Sequence, residues 1–273
     1  MVALAAGGVY LAVRHVPAIL GQTGCTAGSG HAAVTLDPQQ AQIAATIAGV
    51  AYRHGMPSRA VTVAYATAMQ ETHLHDPHYG DRDSVGVFQQ RPSAGWGPAS
   101  KLVNPVYAST RFFQALSQVH GYQRMPVYRA AQAVQHSADG SAYRQYQALA
   151  SRLASAFTGA APRGVWCWPA AHTHGPAQLN PARRAVVRAF GPLAASKAAL
   201  VKEDGKAGGA PSLSVQVPQS SVGWAVAAWL VTHAGQFRLH EVRYSGFLWP
   251  APTGHTGWVK DSSAAAAGTV QAS

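Results

Sequence analysis

Apolar side chains recur at the spacing of an α-helix in several stretches of the first 160 residues. The helix predicted to start at Ser58 carries an apolar row formed by Val61, Ala64, Tyr65 and Ala68. Further helices are predicted at residues 38–54, 111–116, 127–135 and 143–157. A short hairpin around Val85–Gln89 is the one strand candidate here, so this half predicts a mainly helical domain.

The pattern changes in the second half of the chain. Apolar and polar residues alternate over residues 213–217 and 241–244, as they do in half-buried strands. Shorter strands are predicted at residues 247–249 and 258–259, and helices at residues 180–200 and 222–237. The second half therefore predicts a smaller α+β domain, and the whole chain predicts an α+β fold.

Composition suggests where the domains end. Residues 158–181 are rich in Gly, Ala, Pro and His, which is typical of a domain exit followed by a linker. The predicted organisation is an N-terminal signal or membrane-anchor remnant at 1–24, a helical domain at 25–160, a linker at 161–180, a small α+β domain at 181–261 and a disordered tail at 262–273.

Glu71 is the first candidate for chemistry. It follows Ala68 by three residues, so it projects from the flank of the apolar face near the helix end. A carboxyl half inside an apolar wall is poorly solvated, which disfavours its charged form, as a general acid requires. The alternative is an exposed glutamate on a solvated helix end.

The loop after Glu71 carries a family resemblance. Fifteen residues on stands Gly86-Val87-Phe88-Gln89, followed by Gln90-Arg91-Pro92. This layout resembles soluble lytic transglycosylases and goose-type lysozymes, whose signature is a helix-terminal Glu, a variable loop, and then Gly, an aliphatic residue, Met or an aromatic, and Gln. The longer string over residues 79–97 is similar to lysozyme-like domains in secreted proteins of high-GC Gram-positive bacteria. The resemblance covers about residues 37–158, with Asn104-Pro105 matching a later family segment.

The resemblance implies a lysozyme-like helical domain that cleaves the β-1,4 bond between N-acetylmuramic acid and N-acetylglucosamine in peptidoglycan, without a cofactor. Glu71 would be the general acid and base. Gln89 and Gln90 would hold the sugar or the glutamate, although a glutamine that braces its own loop is the alternative. The loop aromatics would stack on sugar faces or form a small core of their own: Tyr79, Phe88 and Trp96.

A second catalytic carboxylate has no confident match in the sequence. A hydrolase needs a base to activate water, and Asp81 or Asp83 would have to serve. A transglycosylase needs none, because Glu71 would accept the proton of the sugar's own hydroxyl. The alternative for both aspartates is a salt bridge with Arg82 or an Asx turn.

Two further function classes stay open. The chain could be a glycan-binding protein that kept the groove and lost the chemistry. It could also be a metal-binding envelope protein, since His73, His75 and His78 lie close together in sequence. His73 and His75 sit two apart where the helix ends, so they share a face only if the backbone there is extended; no metal site is therefore assigned.

Composition favours an extracytoplasmic protein. The net charge is +11, yet no run of Lys and Arg exceeds the pair Arg183-Arg184, which argues against nucleic acid as partner and fits an anionic wall. The apolar residues 2–13 suit a signal-peptide core or the end of an anchor and are too short to span a bilayer. In an exported protein Cys25 and Cys167, which bracket the resembled domain, predict a disulfide; two unrelated buried thiols are the alternative.

Overall fold

The computed structural model describes residues 23–137, 140–168, 175–191, 199–201, 211–262 and 268–273. The predicted signal or anchor segment therefore lies almost wholly outside the described residues. Within the described ranges, no helix combines the length and the apolar character needed to cross a membrane.

Helices dominate the structure, and the predicted helical stretches are present, but the helix predicted at residues 180–200 is too long. It ends at Phe190, before Gly191 with φ of 80°, and residues 199–201 form a strand. The α-helices are α1 Pro38–Arg53, α2 Ser58–Thr72, α3 Ala99–Leu102, α4 Pro105–Gln118, α5 Val127–Gln135, α6 Gln147–Phe157, α7 Leu179–Phe190, α8 Ser220–Thr232 and α9 Ala234–Phe237. Short 3₁₀ helices lie at Gly30–Ala32, Pro92–Ala94, Gly140–Tyr146 and Ala251–Thr256. The strands are β1 Gly24–Ala27, β2 Val34–Leu36, β3 Val165–Trp168, β4 Ala199–Val201, β5 Ser212–Gln216, β6 Glu241–Tyr244, β7 Phe247–Pro250, β8 Val259–Lys260 and β9 Thr269–Ala272. The predicted α+β fold class is confirmed.

Helix α1 begins where the sequence predicted. The Asp37 side chain accepts a hydrogen bond from the Gln40 backbone N–H, and the Gln40 side chain accepts one from Asp37 N–H. This capping box satisfies two N–H groups that a helix start otherwise leaves unpaired, and Pro38 suits the first helical position. The helix that follows, α2, is buried from Ala60 to Met69 and forms the centre of the first half.

A three-stranded antiparallel sheet closes the first half, in the order β2-β1-β3. Cys25 of β1 lies directly opposite Cys167 of β3, and the two form the predicted disulfide. The sheet itself was missed, and the prediction that residues 161–180 form a linker is wrong where β3 lies. Its strands are only three or four residues long, too short to show a clear alternation, and β3 pairs with β1 across about 140 residues of chain.

The second half forms a six-stranded antiparallel sheet with strand order β4-β5-β9-β6-β7-β8. The last strand of the chain, β9, pairs with both β5 and β6 in the middle of the sheet. The prediction that residues 262–273 form a disordered tail is therefore wrong for Thr269–Ala272. The small side chains of this tail give no strand pattern in the sequence. The strand forms because it pairs with two neighbouring strands, and not because of its own side chains.

The two halves share one hydrophobic core. Helix α8 is buried from Val222 to Thr232, and it packs against α1, α6 and β3 as well as against the second sheet. Two indole N–H groups also cross between the halves: Trp249 donates to the Cys167 carbonyl at 3.1 Å and Trp258 donates to the Val165 carbonyl at 2.7 Å. The second half thus supports the strand that carries Cys167.

Removing the disulfide should destabilise the protein strongly. The bridge joins residues 142 apart, so its loss frees a long loop in the unfolded chain. Replacing both cysteines (Cys25→Ser with Cys167→Ser) should lower the free energy of unfolding by up to about 4–5 kcal/mol. Urea unfolding of the double variant, beside the wild type with and without reductant, measures this. An unchanged midpoint in both comparisons would contradict it.

Candidate active site

Glu71 is the penultimate residue of α2 and is half-buried. Its Oε1 accepts a hydrogen bond of 2.8 Å from the Tyr143 hydroxyl and one of 3.3 Å from the Gln135 side-chain amide. Tyr143 belongs to the 3₁₀ helix Gly140–Tyr146, and Gln135 is the last residue of α5. Two consecutive elements therefore meet a carboxyl group that lies more than 60 residues earlier in the chain.

The backbone turns sharply after Glu71. His73 and Leu74 both have left-handed backbone conformations, with φ of 55° and 61°, and the Leu74 side chain turns into the core. The Thr72 hydroxyl donates to the Val87 carbonyl at 2.9 Å, which fastens the Gly86–Gln89 segment to the helix end. Gln135 fastens the same segment from the other side by donating to the Phe88 carbonyl at 2.7 Å. The family-like motif thus lies against the candidate acid.

Tyr143 is a permanent donor to Glu71. Burial raises the pKa of the Tyr143 hydroxyl, the Ser137 side chain opposes this, and the nearby Glu71 carboxylate raises the pKa further. The phenol therefore keeps its proton through the physiological range. A donor fixed on Oε1 orients the carboxyl group.

A cleft of about 360 Å³ opens beside Gln135, and we name it the Trp96 cleft. Its polar and aromatic lining consists of Gln89, Arg91, Trp96, Arg111, Gln135 and His136. This volume falls within the range of ligand-binding clefts. Since Gln135 both lines the cleft and donates to Glu71, the cleft lies one hydrogen bond away from the candidate acid.

Arg111 gives the Trp96 cleft a fixed positive charge. Its guanidinium donates to the backbone carbonyls of Trp96 and Gly95 and to the Gln114 side chain. No ion pair joins it to a carboxylate in the described ranges. A guanidinium held in this way can receive a carboxylate from a bound molecule.

Gln89 occupies a tightly packed corner of the loop. Its side-chain oxygen accepts from the Ser84 hydroxyl at 3.0 Å, and its amide donates to the carbonyls of Tyr79 and Gly86 at 3.3 Å each. A Cβ at Gly80 would come within 1.9 Å of Gln89 Oε1, so a larger residue there would displace the Gln89 side chain. Gln89 therefore braces the loop and at the same time lines the Trp96 cleft.

Two predicted sugar contacts are wrong. Phe88 is fully buried, and its ring stacks on Phe112 with centroids 4.5 Å apart. Gln90 is 1% exposed, and its amide donates to the Ala108 carbonyl at 3.2 Å. Successive residues of this short turn alternate between core and cleft, and the motif alone does not indicate which side each residue takes.

The other two aromatic candidates remain accessible. Trp96 is half-buried and lines the cleft that bears its name. Tyr79 is 80% exposed and is absent from the lining of that cleft, although its carbonyl accepts from Gln89. The structure thus brings Trp96 and Gln89 together near Glu71 and leaves Tyr79 on the outer surface.

Neither predicted second carboxylate contacts Glu71. The Asp81 side chain is 94% exposed and lies 4.0 Å from Arg82, which agrees with the alternative of a loop salt bridge. Asp83 accepts from the Arg91 guanidinium at 3.0 Å and from the backbone N–H of Ser93 at 2.7 Å. The Ser93 N–H, followed by Arg91, lowers the pKa of Asp83 to about 2. So weak a base, held at the start of a 3₁₀ helix, is poorly suited to activating water.

The histidines of this region have separate environments. The His73 ring lies 3.2 Å from the Tyr146 hydroxyl, whereas His75 contacts Asp37 at 2.9 Å and the Thr72 carbonyl at 3.1 Å. His78 is exposed. Across the described ranges, no group of three or more His, Cys, Asp or Glu side chains is arranged to hold a metal ion.

Sequence reasoning missed Tyr143, Gln135 and Arg111 as individual site residues. The helix at residues 127–135 was predicted, but nothing in its pattern singles out Gln135, since Gln132 lies on the same helix. Tyr143 stands in a short 3₁₀ helix without a motif of its own. Only the packing of α5 and this 3₁₀ helix against α2 identifies Gln135 and Tyr143 as site residues.

Asp76 should make the protein less stable as the pH rises. Burial raises the pKa of Asp76 to about 6, while the charge of His78 and the Val87 backbone N–H act in the opposite direction. In the unfolded chain this carboxyl titrates near 3.8, so the folded state binds more protons between these values and loses stability as the pH rises from about 4 to about 6. Asp76→Asn should remove that loss, about 1 kcal/mol for this partly exposed group.

Urea unfolding at about pH 4 and about pH 7 measures the effect. The variant should gain stability over the wild type at the higher pH only. An equal difference at both pH values would show that Asp76 does not titrate in this way.

Comparison with known proteins adds no family assignment. The chain matches no protein-family model, and no curated protein matches it. Function is therefore inferred from the side chains around Glu71 and from their geometry.

Proposed function

We propose that the protein is a peptidoglycan-cleaving glycosidase that acts on the β-1,4 bond between N-acetylmuramic acid and N-acetylglucosamine, with Glu71 as general acid and base. The observation that carries this proposal is the setting of Glu71. Its half-buried carboxyl is held on one oxygen by Tyr143 and Gln135, and Gln135 also lines the Trp96 cleft. Glycosidic cleavage requires a protonated acid of this kind beside the leaving oxygen.

The hydrogen bonds suggest how the acid works. Because Oε1 accepts from both Tyr143 and Gln135, we assign the transferable proton to Oε2. That proton passes to the glycosidic oxygen as the bond to the sugar carbon breaks. The two donors then stabilise the carboxylate that remains, and they require no rearrangement to do so.

We favour the transglycosylase route over hydrolysis. Among the carboxylates of the described residues, Asp81 is exposed in a loop and Asp83 is bound to Arg91 and Ser93. In the transglycosylase route Glu71 takes back a proton, from a hydroxyl of the muramic acid that closes onto its own ring. The product is an anhydro-sugar, and no second carboxylate takes part.

The charge of the cleft fits this substrate. N-Acetylmuramic acid carries a carboxylate on its lactyl group, and Arg111 offers a guanidinium without a carboxylate partner in the described part of the chain. Trp96 offers an aromatic side chain beside it for a sugar ring. A neutral glycan such as chitin would leave the Arg111 charge without a partner.

We further propose that the protein acts outside the cytoplasm, either secreted or held at the envelope by its N-terminal residues. The Cys25–Cys167 disulfide is typical of an oxidising compartment. The net charge of +11 favours approach to an anionic wall, so the proposed partner is the peptidoglycan glycan strand.

A non-catalytic wall-binding protein is the second candidate. The observation that favours it is the position of Asp81 and Asp83, since neither provides a second carboxylate at Glu71. Such a protein would use Trp96 and Arg111 for binding alone. Turnover distinguishes the two functions, because both predict attachment to the wall.

Glu71→Gln should abolish cleavage and retain binding. Loss of the transferable proton should lower turnover by about 10²–10⁴-fold, whereas the amide keeps the size of the side chain and an acceptor for Tyr143. The measurement is a digest of purified peptidoglycan by the full chain, with products identified by mass spectrometry and binding measured by pelleting. Asp81→Asn, which changes an exposed carboxyl of the same loop, is the matched control.

Anhydro-muropeptides from the wild type and from Asp81→Asn alone would support the transglycosylase. Reducing-end products that vanish in Asp81→Asn would instead indicate a hydrolase in which Asp81 activates water. Absence of products from every protein, with pelleting retained, would favour the binding function.

Tyr143→Phe should lower kcat with little change in KM. The phenyl ring retains the packing, but Glu71 loses its shorter hydrogen bond, so the acid is positioned less well and its carboxylate loses one donor. A loss of about 10–100-fold is expected, the value of one hydrogen bond to a charged group. A rise in KM at constant kcat would show that Tyr143 contacts substrate instead.

A further inference from the structure

A second cavity, of about 290 Å³, lies where α1 of the first half meets α7, α8 and α9 of the second. We name it the interlobe cavity. The lining residues used below are Asp76, Arg188, Trp229, His233 and Phe237. Among the described residues it shares no lining residue with the Trp96 cleft, so it is a separate candidate site.

Trp229, which lines this cavity, carries a buried donor. Its side chain is 2% exposed, and its indole N–H has no acceptor among the described residues. Buried N–H groups are almost always paired, because their desolvation is otherwise uncompensated. A bound molecule with an acceptor atom would satisfy this group.

His233 presents an acceptor. Its ring stacks on Trp229 with centroids 3.8 Å apart, and its Nδ1 lies 2.8 Å from the Trp229 carbonyl. That carbonyl can only accept, so Nδ1 carries the proton and Nε2 has a free lone pair in the neutral ring. Burial lowers the pKa of His233 to about 4, so the ring is neutral at pH 7.

Asp76 and Arg188 bring opposite charges to the cavity. Asp76 Oδ1 is buried and has no hydrogen-bond partner among the described residues. Arg188 stands exposed on α7, and none of the ion pairs within the described ranges includes it. A site with an anion, a cation, a buried donor and a fixed acceptor is complementary to a molecule that carries both charges.

We propose that the interlobe cavity binds a small zwitterion, a free α-amino acid or a dipeptide. The ligand carboxylate faces Arg188 and the Trp229 indole N–H, and the ligand ammonium faces Asp76 and the His233 Nε2. The cavity volume lies just below the usual range for drug-sized ligands, which fits a molecule of this size. Phe237, also in the lining, offers apolar surface for the ligand side chain. This inference does not depend on the proposed glycosidase function.

The test uses the full chain with ¹⁵N-labelled tryptophan, in which the Trp229→Phe variant identifies the Trp229 indole resonance. The protein is titrated with a panel of amino acids and alanine-containing dipeptides at neutral pH. At least one should shift the Trp229 resonance with saturation, and its N-acetylated or amidated form should bind at least about tenfold more weakly. N-Acetylglucosamine serves as the uncharged probe.

Variants at the charged groups assign the contacts. Arg188→Gln and Asp76→Asn should each weaken binding by about tenfold or more, because each removes one charge partner. Arg184→Gln is the matched control, since Arg184 is exposed on the same helix and absent from the lining. Arg188 is exposed, so its replacement leaves the core intact.

Three results would overturn the proposal. These are the absence of a saturable shift with every amino acid and dipeptide, equal affinity for N-acetylglucosamine, and unchanged affinity in both Arg188→Gln and Asp76→Asn. Each can be recognised whether or not the protein cleaves peptidoglycan, because the readout is a resonance of the interlobe cavity.

Discussion

A half-buried carboxyl group at the end of a buried helix is the constraint on which the candidate site depends. Glu71 ends α2, where the apolar face leaves little room for water, so its Oε1 needs protein donors. Tyr143 and Gln135 supply them, and both must arrive from elements more than 60 residues further along the chain. The packing of α5 and the Gly140–Tyr146 helix against α2 is therefore also the assembly of the site.

The same contacts order the loop that follows. Gln135 reaches the Phe88 carbonyl, Thr72 reaches the Val87 carbonyl, and the buried ring of Phe88 stacks on Phe112. Gly86 allows this close approach, because it has φ of 76° and a Cβ there would lie 2.3 Å from the Leu102 carbonyl. One side of the loop is thereby part of the core, and the other side lines the Trp96 cleft.

The second half of the chain supports the first. Helix α8 is buried along Val222–Thr232 because it faces helices of the first half on one side and the six-stranded sheet on the other. Hydrogen bonds from Trp249 and Trp258 reach the carbonyls of β3, the strand that carries Cys167. The disulfide joins β3 to β1, so the same contacts also stabilise β1 and the start of the helical region. A contact surface of this kind also creates the interlobe cavity, which neither half forms alone.

The sequence by itself determined those structural features that depend on residues close together in the chain. The capping box at Asp37, the helices with regular apolar spacing, the position of Glu71 at a helix end and the alternating strands β5 and β6 all follow from local periodicity and capping. The pairing of Cys25 with Cys167 was also predicted, because the chain has only two cysteines. Tertiary structure alone decided the sheet β2-β1-β3, the central place of β9, the burial of Phe88 and Gln90, and the arrival of Tyr143 at Glu71. Apart from the pairing of β1 with β2, each of these depends on a partner far away in the chain, and local patterns carry no information about such partners.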